Sequence, residues 1–204
     1  GHNIASSTGA ALMAGLSNTI NLNGNNCAII AGVGNEILEQ TSQSGIFAGR
    51  SHSMNAANAA ISGGRALTNT GNKSAMAGGY LNNNASQHGF MGGGRENVSS
   101  GDECVIVGGE EGLIATGTRN SIIGGYQNAI TGLNNCIIAG GSSHGINATN
   151  ASDAGIFAGT NHTVTKNNSA MIGGRNSEVY GYHCAMAGGS DNRIYLNANN
   201  AFIG

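Results

Sequence analysis

The sequence predicts an all-β fold, a parallel β-solenoid of about thirteen coils with about 16 residues each. A short apolar motif that ends in Gly recurs along the whole chain, Asn-rich polar segments separate its copies, and Pro is absent. Pro lacks the N–H that a strand donates to its neighbour, so stacked strands disfavour it. We expect residues 1–204 to form a single β-solenoid repeat domain that is a fragment of a longer chain.

The repeated motif is a small residue, two or three apolar residues and then Gly. Successive copies lie 14 to 19 residues apart. Gly adopts the positive φ angles that tight corners require, so the motif is predicted to be a strand followed by a turn. The turn glycines are Gly15, Gly32, Gly49, Gly63, Gly78, Gly92, Gly108, Gly124, Gly140, Gly159, Gly173, Gly188 and Gly204.

A second, weaker apolar position follows most of these glycines by five or six residues, usually just after an Asn or His. Each coil is therefore predicted to contain two short strands joined by polar turns. The second apolar position is occupied by Ile20, Ile37, Met54, Val98, Ile114, Ile130, Ile146, Val164, Val179 and Ile194.

Other repeat folds fit this chain less well. A helix would carry Gly in its interior at about 1 kcal/mol each. Collagen requires Gly at every third residue together with abundant Pro, and hexapeptide β-helices require a constant coil length. A calcium-binding β-roll needs a column of Asp, whereas the chain contains three Asp residues.

The residue two positions before each turn Gly is large and apolar, which predicts a core. Its two neighbours are also mostly apolar, although successive residues of a strand point to opposite faces. Both faces of this strand are therefore predicted to be buried, the outer one against a second copy of the chain. The predicted core residues are Ile30, Phe47, Met76, Phe90, Ile106, Ile122, Ile138, Phe157, Met171 and Met186.

This assignment has a direct consequence for mutations. If Gly78 forms the turn, Gly78→Val should block it and destabilise the fold. Ser74 lies before the strand, so Ser74→Ala should be close to neutral.

The segment AMAGGYLNNNASQHGFMGGGRENVSSGDECVIVGG, residues 75–109, resembles the head repeats of YadA-like and UspA-like trimeric autotransporter adhesins. The resemblance extends over the chain from Gly15 to Gly204, and similar repeats occur in fibre proteins of phages and large viruses. It implies a left-handed β-roll that assembles as a homotrimer through the motif strands. The Asn–x–Ala–x–Gly turn of that family is imperfect here.

The resemblance implies a non-enzymatic head or shaft segment of a trimeric extracellular attachment fibre, such as a bacterial surface adhesin. Two alternatives remain open: a segment of a bacteriophage or virus tail fibre or receptor-binding protein, and an ice- or surface-binding solenoid. The expected partners are further copies of the chain and a host-surface protein or glycan. The expected location is extracellular, on a cell or virion surface.

Four Arg residues are candidates for ligand binding because each follows a turn Gly in a chain with few charges. Guanidinium groups form bidentate hydrogen bonds with anionic groups such as those of acidic glycans. The alternative is that these side chains only keep the coil corners soluble. The four are Arg50, Arg65, Arg95 and Arg175.

No catalytic set, cofactor or metal site is predicted. The four Cys residues lack zinc-site spacing and are expected to fill small positions before the strand. His52 and His162 align in a longer duplication, residues 45–65 with 155–175, and are expected to be turn residues.

With eight Lys and Arg and a net charge of -2, the chain is not expected to bind nucleic acid. Nor is direct membrane insertion expected, because no apolar run is long enough.

Overall fold

The computed structural model describes residues 4–5, 8–21, 25–39, 41–147 and 151–204; for residues 4–5 only the backbone is described. It contains two compact units, Gly1–Asn97 and Val98–Gly204, and each is a parallel β-solenoid. The all-β solenoid predicted from the sequence is confirmed, with about twelve turns rather than thirteen. No helix among the described residues is long and apolar enough to cross a membrane.

In Gly1–Asn97, the two strands of each turn belong to two sheets. Sheet A contains the odd-numbered strands and sheet B the even-numbered strands, each in chain order. The strands are β1 (Ile4–Ala5), β2 (Ala11–Leu12), β3 (Thr19–Ile20), β4 (Ala28–Ile29), β5 (Glu36–Ile37), β6 (Gly45–Ile46), β7 (Ser53–Met54), β8 (Ala60–Ile61), β9 (Thr68–Asn69), β10 (Ala75–Met76), β11 (Asn83–Asn84) and β12 (Phe90–Met91).

Val98–Gly204 follows the same plan, and the names sheet A and sheet B are kept for its odd- and even-numbered strands. The strands are β13 (Val98–Ser99), β14 (Val105–Ile106), β15 (Leu113–Ile114), β16 (Ser121–Ile122), β17 (Ala129–Ile130), β18 (Ile137–Ile138), β19 (Gly145–Ile146), β20 (Gly155–Ile156), β21 (Thr163–Val164), β22 (Ala170–Met171), β23 (Glu178–Val179), β24 (Ala185–Met186), β25 (Arg193–Ile194) and β26 (Phe202–Ile203).

Every turn places equivalent residues in register with those of the next turn. Met76, for example, pairs with Ile61 on one side and Met91 on the other, both in parallel orientation. Isolated bridges add a further ladder at the corner where the chain passes from sheet B to sheet A. Side chains at one position of the repeat therefore form columns with one residue per turn.

Corners of the solenoid require left-handed backbone. Residues such as Lys73 and Leu81, on either side of strand β10, have φ angles between 52° and 59°. A Gly three residues after the inward-pointing residue of sheet-B strands β2 to β24 has a larger φ, for example 100° at Gly79. A side chain at Gly79 would also collide with Asn82 and with the carbonyl oxygen of Gly94 in the next turn.

These φ angles and the close contacts correct the predicted turn glycines wherever two or three Gly follow each other. A Cβ at Gly78 would meet no atom within 4 Å, and the positive-φ residue is Gly79. The prediction that Gly78→Val blocks the turn is therefore wrong. Gly63, Gly92, Gly108, Gly124, Gly140, Gly173 and Gly188 likewise precede the Gly at the corner position, which is Gly64, Gly94, Gly109, Gly125, Gly141, Gly174 and Gly189. At Gly140 and Gly173 φ is positive as well, but a Cβ there would meet no atom within 4 Å.

The prediction that the Ser74 hydroxyl is dispensable is also wrong. Its side chain is buried, and its single hydroxyl proton is shared between two acceptors, Asn69 Oδ1 at 2.7 Å and the carbonyl oxygen of Gly71. A net contribution of about 1 kcal/mol per hydrogen bond gives Ser74→Ala a measurable cost.

The same register decides which apolar residues face the interior. Six predicted core residues are buried: Met76, Ile106, Ile122, Ile138, Met171 and Met186. The other four predictions are wrong for the interior of the chain, because the position three residues before the corner Gly points inward and these residues lie one place away. The exposed residues Ile30, Phe47, Phe90 and Phe157 have buried neighbours in Ile29, Ile46, Met91 and Ile156.

Sheet A contributes the opposite wall of the interior. Nine of the ten residues predicted for the second apolar position are buried there, from Ile20 to Ile194. Val98 is the exception, because its neighbour Ser99 points inward instead. Asn69 and Asn84 are also fully buried in this wall, at positions that apolar periodicity does not reveal.

A column of buried polar side chains links consecutive turns at the residue three places after the corner Gly. Asn35 donates its backbone N–H to Asn18 Oδ1 at 3.1 Å, and His52 donates its backbone N–H to Asn35 Oδ1 at 3.1 Å. Asn18 Nδ2 donates to the carbonyl oxygens of Ala14 and Gly32. These Asn side chains therefore satisfy backbone groups on two turns, as buried polar groups must.

Histidine takes the place of Asn in this column at three turns. His162 donates its backbone N–H to His144 Nδ1 at 3.2 Å, and Ser177 donates its own to His162 Nδ1 at 3.3 Å. The two rings stack with centroids 5.1 Å apart. Burial, and then the charge of His162, lower the pKa of His144 to about 4. Burial also lowers the pKa of His52 and of His162.

The four Cys residues are buried inside the turns and form no disulfide. Cys136 Sγ donates to the carbonyl oxygens of Ala151 and Asn134, as Ser169 Oγ does to those of Gly181 and Asn167 at the equivalent position. Burial raises the pKa of Cys136, and the same holds for the thiols of Cys27 and Cys104. Cys thus fills a small interior position that Ser or Ala occupies elsewhere.

Gly79→Ala should destabilise the protein much more than Gly78→Ala. A φ of 100° and the contact with the next turn penalise a side chain at Gly79, by about 3 kcal/mol or more. The site of Gly78 is open, and Ala31 and Ala48 occupy its equivalent in other turns. The midpoint of urea unfolding measures both changes, and equal losses would contradict the assigned register.

Acid should weaken the histidine column specifically. The folded pKa of His144 lies below the unfolded value, so its neutral form stabilises the fold fully above pH 6.5 and progressively less as pH falls to about 4. A proton on Nδ1 would displace the backbone N–H that this atom accepts. Asn is the native residue at the equivalent positions 128 and 192, so His144→Asn/His162→Asn keeps an acceptor without the titration.

We expect the wild type to lose about 3 kcal/mol more than this double variant between pH 7 and pH 4. Urea titrations at fixed protein concentration across that range provide the measurement. Parallel stability curves for the two proteins would show that the histidines do not control the acid response.

Candidate functional site

The outer face of sheet B is apolar in both units. On each strand the residues before and after the inward-pointing residue lie on the outer side, where most are exposed or half-buried, and none of them is charged. In Gly1–Asn97 the face includes Met13, Ile30 and Phe47, which is 52% exposed. In Val98–Gly204 the large exposed side chains on this face are Val107, Ile123, Phe157, Ile172 and Phe202.

Each Phe on this face is paired with a Gly two residues away on the same strand. A Cβ at Gly155 would lie 3.0 Å from Cε2 of Phe157, and one at Gly204 would lie 2.9 Å from Cε1 of Phe202. The rings of Phe157 and Phe202 therefore occupy the space above their glycines. This arrangement keeps the outward surface flat where the largest side chains lie.

Most residues at the two corners that border this face are polar or charged, with exposed Leu16 and Val33 among the exceptions. One corner carries Asn135, Asp153 and Asn168, where Asn135 Nδ2 donates to Asp153 Oδ1 at 2.9 Å. Beside them, on the face itself, lies a shallow groove of about 440 Å³ lined by Ile137 and Phe157 among others. An apolar centre with a polar rim is the usual composition of a protein–protein interface.

The opposite corner carries all four candidate Arg residues, each directly after the corner Gly. In Gly1–Asn97, bridges connect Arg50 with Arg65, Arg65 with Tyr80 and Tyr80 with Arg95. Strands in one sheet lie about 4.8 Å apart, so three cations and one aromatic ring share a short column. Arg175 holds the same position in the other unit, between Thr160 and Ser190.

The Arg50–Arg95 corner, as we call the column Arg50, Arg65, Tyr80 and Arg95, carries excess positive charge. Arg95 Nε contacts Glu96 Oε1 at 3.0 Å, and the Arg65 guanidinium lies 5.5 Å from the centre of the Tyr80 ring. Among the described residues, neither Arg50 nor Arg65 forms an ion pair. Like charges on neighbouring strands are destabilising, so an anionic ligand would relieve the repulsion between them.

Sequence reasoning selected the four Arg residues but missed Tyr80. The signal was available, because Gly-Gly-Tyr at 78–80 occupies the register of Gly-Gly-Arg at 63–65. It also missed the stacked pair His144 and His162, since only His52 and His162 align in the duplication. The His side chains are buried in the interior column rather than exposed at a turn.

Within the described part of the chain, no three His, Cys, Asp or Glu side chains come together in a way that could hold a metal ion. The Nδ1 atoms of His52, His144 and His162 each accept a backbone N–H. These nitrogen atoms are therefore engaged in hydrogen bonds between neighbouring turns.

The chain matches no protein-family model, and no curated protein is significantly similar to it.

Proposed function

We propose that this chain is a non-enzymatic segment, head or shaft, of a homotrimeric extracellular attachment fibre, built on a left-handed β-roll. The observation that carries the proposal is the uncharged outer face of sheet B, which exposes side chains such as Ile172 at 58%. An apolar face repeated in every turn is unfavourable in water and favours a protein partner. The resemblance to trimeric autotransporter heads supplies the trimer and its handedness.

A second copy of the chain is the partner that suits this face best. Its columns repeat once per turn, and an identical chain repeats with the same spacing, so the columns can match along their length. The groove beside Ile137 and Phe157 can receive an apolar side chain from the neighbouring copy. Closed rotational symmetry then buries the same face of every protomer.

Contact with the host would involve the rim rather than the apolar face. The Arg50–Arg95 corner borders the face in Gly1–Asn97, and its two unpaired guanidinium groups suit carboxylate or sulfate groups. We propose an anionic glycan of the host surface as the ligand of this corner. A host-surface protein with an acidic segment is the alternative partner.

The bacterial surface adhesin and the phage or virus fibre remain alternative settings for this function. The buried, unpaired Cys residues are compatible with a fibre that assembles in a reducing compartment before release. An ice- or surface-binding solenoid is the weaker candidate, because the outer face of sheet A mixes Thr, Asn, Glu and Tyr instead of presenting ranks of Thr.

The molar mass in solution should be close to 61 kDa, three times the chain mass of 20.3 kDa. Light scattering after size exclusion measures it directly. Reductant should leave the mass unchanged, because the Cys side chains lie inside the turns. A mass near 20.3 kDa would remove the main support for the fibre proposal.

Lys substitutions on the outer face of sheet B should prevent the protomers from associating. Ile123→Lys/Ile172→Lys places two ammonium groups on the outer face of sheet B, where burial in an interface would cost several kcal/mol. We expect this variant to run as a folded monomer. Thr131→Lys on the exposed face of sheet A is the matched control and should remain trimeric.

Removing the positive charge of the rim should weaken binding to sulfated polysaccharide. Arg50→Gln/Arg65→Gln should raise the Kd for a heparin fragment about tenfold or more, since hydrogen bonds to charged groups contribute about 1.5–3 kcal/mol each. Arg175→Gln removes a single cation from the other unit and should have a smaller effect. Surface plasmon resonance at several salt concentrations measures the change, and unchanged affinity in the double variant would exclude this corner as the site.

A further inference from the structure

A second candidate binding site lies in Val98–Gly204, away from the apolar face and from the Arg50–Arg95 corner, beside the ladder that contains Arg175. It is a groove of about 390 Å³ on the outer side of sheet A. Strands β21, β23 and β25 form its floor, and the corner before these strands forms its wall. Three adjacent strands span about 10 Å.

The wall is a row of planar polar side chains. Asn161 Nδ2 donates to Asn176 Oδ1 at 3.1 Å, and Asn176 Nδ2 donates to Asp191 Oδ1 at 3.1 Å. An Asn side chain has two N–H donors, and these contacts use one of each pair. The second N–H of both amides and the other oxygen of Asp191 remain available to a ligand.

The floor combines a fixed cation with an exposed aromatic ring. Arg193 Nη2 forms an ion pair with Glu178 Oε2, and its guanidinium lies 5.7 Å from the centre of the Tyr180 ring and 6.0 Å from that of Tyr195. These contacts orient the guanidinium, which has five N–H donors. Tyr195 is 67% exposed, so one side of its ring is open to a ligand.

We propose that this groove binds a neutral saccharide of at least two sugar units. Paired donors and acceptors on planar side chains match the vicinal hydroxyls of a sugar. The exposed ring of Tyr195 offers an apolar surface for the C–H face of a pyranose. The charged side chains that line the groove are Arg193, Glu178 and Asp191, so the lining has a net charge of -1 and disfavours sulfated or carboxylated sugars.

This site differs in chemistry from the Arg50–Arg95 corner, where cations predominate and where, within the described residues, Arg50 and Arg65 form no ion pair. The chain would therefore carry two kinds of carbohydrate contact, one for anionic and one for neutral sugars. The saccharide groove involves no residue of the outer face of sheet B. Its existence is independent of the trimer, which is measured separately by molar mass.

Saturation-transfer NMR with the full chain tests the proposal. The probes are the neutral disaccharides maltose, cellobiose, lactose, mannobiose and chitobiose at millimolar concentration, together with a heparin-derived disaccharide. We expect at least one neutral disaccharide to receive saturation and to bind with a millimolar Kd or better. Tyr195→Ala should weaken that binding at least tenfold, and Tyr195→Phe, which keeps the ring, should change it less than threefold.

Tyr126→Ala is the matched control, because Tyr126 is an exposed tyrosine of the same unit that does not line the groove and lies two turns before it. It should bind as the wild type does. The proposal is overturned if no neutral disaccharide binds, if Tyr195→Ala binds normally, or if Tyr126→Ala loses as much affinity as Tyr195→Ala. It is also overturned if only the heparin disaccharide binds, since that result would place carbohydrate recognition at cationic residues.

Discussion

The close approach of successive turns at the corner glycines is the constraint on which the rest of the structure depends. At Gly79 the backbone has a φ of 100°, and the carbonyl oxygen of Gly94 occupies the space of a side chain. Only Gly meets both conditions, so it returns in every turn. Its position then determines which residues face inward, which lie on the outer face of sheet B and which form the Arg50–Arg95 corner.

Hydrogen bonds between turns convert this local constraint into a stable solenoid. Strands of two residues contribute few backbone bonds, so the buried side chains supply additional ones. Asn18 and Asn35 each bond to backbone groups of their own turn and of the next. His144 and His162 take over the acceptor part of this role, because the Nδ1 atom of each accepts a backbone N–H of the next turn. The interior is therefore a mixture of Ile, Met and Val with hydrogen-bonded Asn, Ser and His, which explains why a low overall hydrophobicity is sufficient.

The sequence predicts the fold class well, because the periodic Gly and the absence of Pro are visible in the chain without any knowledge of the register between turns. It fails by one residue at Ile30, Phe47 and Phe157, where a single Gly forms the corner and the inward residue lies three places before it rather than two. At Phe90 it fails because Gly92, Gly93 and Gly94 conceal which Gly forms the corner. Because apolar residues also flank the inward residue, the apolar pattern does not show which residues of the strand point into the interior. The Arg residues could be selected from sequence, but their alignment with Tyr80 and the assembly of the groove around Asn176 and Arg193 depend on the register between turns. That register became known only from the structure.

The pairing of each Phe with a Gly on the same strand has an evolutionary consequence. Phe157 cannot spread over its strand unless Gly155 stays without a side chain, so neither residue can change freely while the other is kept. The two positions should vary together, exchanging as a couple for a small residue beside a medium aliphatic one. Ala170 and Ile172 already form such a pair of a small and a medium aliphatic residue. Phe157 with Gly155 and Ile172 with Ala170 are thus two ways of building one level surface in neighbouring turns, and evolution can replace one pair by the other without roughening it.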